Sequence, residues 1–148
     1  MGSDVAGNDP PSPQDFGEVF KLVGGYRISQ AIYVVTELGI PDLLAAGPKR
    51  CAELAVQTKT HARTLYRLLR FLAGAGLFNE VAPGEFSLTR LGSTLRNDVT
   101  GSPGTAVRLW LSESHWNSWA HLIHSVRTGE PAFDHAHGLV LLRHIFLV

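Results

Sequence analysis

The chain has 148 residues, 45% of them hydrophobic and 18% charged, with no formal net charge. That length suits one domain, and the apolar share is too high for a wholly disordered chain. No apolar run approaches the roughly 20 residues of a membrane helix, no secretory signal pattern opens the chain, and the single Cys51 excludes an intramolecular disulfide or multi-thiolate zinc site; a cytoplasmic protein is expected.

Residues 1–13 are small, acidic and proline-rich, and read as a disordered leader in which Pro10, Pro11 and Pro13 block helix. Phe16, Val19, Phe20 and Val23 predict a first helix over 15–23, broken by Gly24-Gly25. Ile28, Ile32, Val35 and Leu38 predict a second over 26–38. Tyr33 and Val34 widen its apolar surface beyond one stripe, so its second face would meet another subunit. Gly39 is a C-terminal stop and Pro41 opens one more turn.

A short helix over 50–57 follows, then a turn at 58–60. A longer helix over 61–75 carries Leu65, Leu68, Leu69 and Leu72 on one face, and Gly74 and Gly76 end it. Residues 77–81 and 86–88 read as strands around the turn at 82–85. Thr89 caps a helix through Arg96. Helix, turn, helix and hairpin form the order of a winged helix-turn-helix, with the hairpin as wing. After a loop at 97–104 come helices over 105–111 and 114–127, a stop at 128–131 and a connecting stretch at 133–138. Residues 139–148 are an atypical apolar tail.

Several residues could carry chemistry. His121 and His124 lie at i, i+3, and His135 and His137 flank Ala136. Imidazoles ligate metals, but no cysteine or motif-spaced carboxylate completes a set, so pocket-lining or half-exposed histidines are the preferred reading and no metal is expected. Cys51 reads as a buried small side chain rather than a reactive thiol. Gly74-Ala75-Gly76 follows a helix rather than a strand, which excludes a dinucleotide fingerprint. Between Lys49 and Arg96 stand eight Lys/Arg against three Glu. Arg63, Arg67 and Arg70 repeat at helical spacing, either as a DNA-reading face or as a solvated one. Trp110, Trp116 and Trp119 indicate a core, an interface or an aromatic ligand pocket.

The ordered series Glu37-Leu38-Gly39-Ile40-Pro41-Asp42-Leu43-Leu44, Ala52-Glu53-Leu54-Ala55, Leu65-Tyr66-Arg67-Leu68-Leu69-Arg70-Phe71-Leu72, Gly76-Leu77-Phe78 and Phe86-Ser87-Leu88-Thr89 resembles the N-terminal domain of S-adenosylmethionine-dependent small-molecule O-methyltransferases. The match continues through Trp119, Leu122, Ser125-Val126-Arg127-Thr128-Gly129, Pro131-Ala132-Phe133 and His137-Gly138, and covers about residues 16 to 138.

The resemblance implies a mainly α, winged-helix-like dimerisation domain over 14–98 and a helical segment over 99–138 leading to a catalytic domain. It implies an intertwined homodimer, with Tyr26, Gln30, Tyr33 and Val34 at its interface and a structural rather than DNA-reading second helix. Trp116, Trp119, Leu122, Phe133 and His137 would wall a pocket for an aromatic or polyketide-like acceptor. In such enzymes a positioned base deprotonates an acceptor hydroxyl, which attacks the sulfonium methyl in line. The cofactor loop and the catalytic histidine belong to a Rossmann-like domain after Gly138. This chain is therefore expected to supply no catalytic or S-adenosylmethionine-binding residue and to be inactive alone. Nucleic acid and membrane are not expected as partners. With the codons CTG GTC CTT CTT CGA CAT ATT TTC for residues 139–146, a one-base shift reads Trp-Ser-Phe-Phe-Asp-Ile-Phe, closer to the family pattern; a frameshifted, truncated reading frame is the expectation. Two other readings are a winged-helix transcription regulator, resting on the arginine face, and a stand-alone aromatic-ligand module, resting on the tryptophans.

Overall fold

The computed structural model describes residues 10–138. Two of the sequence readings, the body of the leader at 1–9 and the tail at 139–148 with its frameshift, lie outside them.

Helix α1 runs unbroken over Pro13–Glu37, which corrects the reading of Pro13 as a helix block and the break at Gly24-Gly25, whereas Pro10 and Pro11 stand before the helix. Pro13 occupies the first helical turn, where its missing N–H costs nothing. Ser12 caps the helix. Its N–H and hydroxyl donate to Asp15 Oδ2 at 2.7 and 2.6 Å, and its Oγ accepts from the Asp15 N–H. Asp15, held by the Ser12 hydroxyl first and its N–H second, ionises below the usual carboxylate range. Gly24 and Gly25 weaken a helix by about 1 kcal/mol each, which a continuous, well-capped helix tolerates. The helix ends where expected: Gly39 turns left-handed at φ 65° and opens α2 (Ile40–Leu43).

Strand β1 (Lys49–Arg50) was not legible in sequence, since two residues carry no period. It pairs antiparallel with β3 (Glu85–Leu88), Lys49 opposite Phe86, and β3 pairs with β2 (Phe78–Ala82), giving the sheet order β1-β3-β2. Between β1 and β2 lie α3 (Cys51–Gln57) and α4 (Ala62–Gly74). Leu65, Leu69 and Leu72 of α4 are buried on one face, as their spacing required. They meet Val35 and Ala31 of α1, Leu54 of α3, and Phe78 and Phe86 of the hairpin in one core. Cys51 is buried there, and burial pushes its thiol pKa up. The result is a mainly α domain with a hairpin wing, as expected.

Thr89 caps α5 (Arg90–Ser93) by accepting from the Gly92 N–H at 3.0 Å. The expected continuation to Arg96 tightens instead into i→i+3 turns, Thr94 to Leu91 and Leu95 to Gly92. Helix α6 (Gly104–Trp110) then packs on α1. The helix expected over 114–127 is two, α7 (Glu113–Ala120) and α8 (Leu122–Thr128), because the chain tightens at His121, whose N–H bonds Ser118 three residues back. The connecting stretch at 133–138 is helix α9 (Ala132–His137), which packs on both α7 and α8.

Candidate functional site

Two surfaces stand out against the core. The first is the N-terminal two-thirds of α1. Its apolar side chains have no cover: Phe20 is 73% exposed, Leu22 80% and Tyr26 54%. Further along, Gln30 and Tyr33 are half-buried and Val34 is exposed, while Ala31, Val35 and Thr36 turn into the core. The four residues expected at a subunit interface thus lie along the outer sides of the helix. Val34 also borders a groove of about 260 Å³ with Leu38, His61, Thr64, Leu65 and Leu68, so this face continues onto α4. Monomeric proteins seldom leave this much contiguous apolar surface uncovered.

The second surface is built by α7 and α9. Phe133 sits between two imidazoles, 5.8 Å edge-on from His115 and 4.6 Å from His137. His137 Nε2 lies 2.9 Å from the Ser114 carbonyl, which fixes the ring against the start of α7. An open groove of about 490 Å³ beside it is lined by Ser112, Glu113, Ser114, Asn117 and His137. Of the five residues expected to wall an acceptor pocket, Phe133 and His137 are brought into contact, and Trp116 is half-buried on the same α7. Trp119, 67% exposed, and Leu122 look outward. Trp110 is exposed as well, so neither Trp110 nor Trp119 is core in this domain. His115 was missed: it precedes Trp116, but a lone histidine on a helix carries no sequence signal.

Three further histidines, His121, His124 and His135, form a separate group. His135 stacks on His124 with centroids 3.9 Å apart and meets the edge of His121 at 5.1 Å. Among the described residues no set of three or more His, Cys, Asp or Glu side chains is arranged to hold a metal ion.

The arginine face of α4 is partly committed. Arg70 Nε pairs with Glu80 at 3.2 Å and Arg70 Nη1 donates to Tyr66 Oη at 3.1 Å. That guanidinium therefore braces the wing instead of projecting freely toward a phosphate. S-adenosylmethionine does not fit the described residues. Their only sheet is the small antiparallel one, and their left-handed glycines close helices and turns with no glycine-rich strand-to-helix loop. No helix among them is long and apolar enough to cross a membrane.

Comparison with known proteins agrees with this geometry. Residues 20–98 match the O-methyltransferase dimerisation domain. The mitomycin biosynthesis 6-O-methyltransferase of Streptomyces lavendulae is 41% identical over 118 residues, which is 79% of this chain and 34% of that protein. The phenazine O-methyltransferase PhzM of Lysobacter antibioticus is 38% identical over 120 residues, 81% of this chain and 35% of that protein. The crystal structure of LaPhzM superposes with a TM-score of 0.80 at 36% identity, over 83% of this chain and 37% of that one. The chain thus spans about a third of the length of the curated relatives it matches. With an uncovered helical face, a braced wing and a match across 20–98, this chain belongs to the O-methyltransferases, through their dimerisation domain.

Proposed function

We propose that this chain builds the subunit interface of a cytoplasmic methyltransferase homodimer and contributes one wall of its acceptor site. Residues 14–98 form the interface unit and residues 99–138 the wall. The observation that carries this reading is the uncovered apolar face of α1, where Phe20, Leu22 and Tyr26 are all more than half exposed. Burying it against a second copy would release roughly 25 cal/mol for each Å² of apolar surface removed from water. Tyr26, Gln30, Tyr33 and Val34 would line that contact.

The wall takes an aromatic acceptor. Phe133, in contact with His115 and His137, offers ring faces and edges, and half-buried Trp116 lies on the same α7 as His115; Trp119 and Leu122, exposed beside them, would join the wall once an acceptor is bound. The relative from Lysobacter antibioticus is named for an acceptor of this kind, a phenazine. The methyl donor and the proton-accepting base are assigned to the part of the longer enzymes that this chain does not align with. In this reading, residues 99–138 serve to orient the acceptor.

Sedimentation equilibrium of the full 148-residue chain tests the reading. A dimer at micromolar concentration is expected, and Phe20→Glu is expected to yield monomer with unchanged helical content by circular dichroism. A wild-type chain that stays monomeric at tens of micromolar would overturn it. Tryptophan fluorescence titrated with hydroxyphenazine tests the wall, and quenching that is lost in Phe133→Ala is the expected result.

A further inference from the structure

The cluster of His121, His124 and His135 plays no part in the interface or the wall, yet it is the main polar contact seen between α8 and α9. The two helices are joined by a turn in which Gly129 is left-handed at φ 77°, the Thr128 hydroxyl donates to the His124 carbonyl, and the Glu130 N–H donates back to Thr128 Oγ1. This turn brings His135 face-on to His124, 3.9 Å between centroids and 10° between planes, with His121 edge-on at 5.1 Å. We propose that these three imidazoles are a pH-sensitive latch, holding α9 on α8 while neutral and releasing it as they gain charge.

The physical basis is the crowding of three imidazoles, each of which can gain a proton. Neutral imidazoles stack as other aromatic pairs do. A first proton on His124 is accommodated, because Glu130 Oε2 lies 3.7 Å from its Nε2 and the neutral His135 ring covers it. A second or third proton is not. Among the described residues neither His121 nor His135 is within salt-bridge reach of a carboxylate, so like charges would face each other across 3.9 to 5.1 Å. The other charged groups of the hairpin are Arg127 in the last turn of α8 and Asp134 in the first turn of α9. On the far side of α9, from α7, His115 faces Phe133 and Glu113 lies close by, while α9's own His137 binds the Ser114 carbonyl of α7. Separated rings hydrate their charges independently, so the open hairpin binds more protons than the closed one. Acidification therefore favours opening. Because α9 carries Phe133 and His137, opening would also loosen the acceptor wall; that consequence rests on the function proposed above, whereas the latch does not.

Hydrogen exchange of the full chain, corrected for intrinsic rates and followed by NMR, tests the latch without any acceptor. Between about pH 7.5 and pH 5, protection of the α9 amides should fall on the order of ten-fold relative to those of α4. A ring-to-ring cross-peak between His124 and His135 should fade over the same range. In His135→Asn, or in His124→Asn if the first variant fails to fold, the α9-to-α4 protection ratio should no longer depend on pH. A flat ratio in the wild-type chain, or an undiminished pH dependence in the variant, would overturn the proposal. Failure of hydroxyphenazine to bind at either pH would count only against the acceptor wall.

Discussion

Tyr66 of α4 donates its hydroxyl to Glu80 of β2 at 3.0 Å, across a hairpin whose ring Phe86 meets Tyr66 edge-on at 5.9 Å. The same Glu80 Oε1 accepts from the Gly84 N–H at 2.9 Å, and its Oε2 pairs with Arg70. One carboxylate thus closes the turn of the wing and ties the wing to α4.

This arrangement holds Glu80 below the usual carboxylate range: the Gly84 N–H lowers it most, burial opposes that, and Tyr66 and Arg70 add further lowering. A carboxyl whose folded pKa is depressed stabilises the fold above its unfolded pKa, and that stability is lost as pH falls toward the folded value. Glu80→Gln is expected to lower stability at pH 7 and to flatten its decline between about pH 5 and pH 3, as read by urea denaturation across pH. An equal acid slope in the variant would assign the acid sensitivity elsewhere.

Gly92 is fixed by space. A Cβ there would lie 2.0 Å from the Leu77 carbonyl oxygen, a backbone atom that cannot swing aside. The same carbonyl accepts from the Thr89 N–H and hydroxyl, so moving it would undo the α5 cap as well. Gly92→Ala is expected to destabilise the chain by about 2–3 kcal/mol, on the scale of a core overpacking. A thermal melt within 1 °C of wild type would contradict this.

Much of the fold was legible because α4 and the hairpin bury strictly one face. Leu65, Leu69 and Leu72 follow the helical period, and Phe78 and Phe86 fall on the inner side of their strands. What was misread turned on local rules that packing overrides. Gly24-Gly25 interrupts nothing, because a glycine pair weakens a helix without forbidding it, and His121 breaks a helix although no breaker residue stands there. The site was legible only in part. Phe133 and His137 meet as i, i+4 neighbours on α9, but their contacts with His115 and the Ser114 carbonyl exist because α9 folds back on α7, which no spacing encodes.

Gly25 gives a direct test of that misreading. Its backbone is helical and nothing lies within 4 Å of a Cβ placed on it. Gly25→Ala should therefore stabilise α1 by about 0.5–1 kcal/mol through helix propensity and a less flexible unfolded chain. A rise of a few degrees in melting temperature, with greater helical ellipticity, is expected. A helix that truly paused at this position would gain neither.

Arg108 carries the junction between α6 and the end of α1. Its Nη2 donates to the Thr36 carbonyl at 2.9 Å, its Nη1 to Asn97 Oδ1 at 3.1 Å, and its Nε pairs with Glu37 at 3.1 Å. Asn97 in turn donates from its backbone N–H and side-chain amide to the two carboxylate oxygens of Asp42, at 2.8 and 2.7 Å. One guanidinium therefore links α1 to α6 and, through Asn97, to α2. Truncation would remove the donor to a carbonyl on nearly buried Thr36 and leave Glu37 unpaired. Arg108→Ala is expected to cost about 1–3 kcal/mol in urea denaturation, with hydrogen exchange accelerated in α6 more than in α4. Arg108→Lys should recover less than half of that loss, since an ammonium on a flexible stem cannot hold all three acceptors of the planar fork at once. Full recovery by lysine would reduce the junction to a charge effect, and the accelerated exchange of α6 would then vanish at high salt.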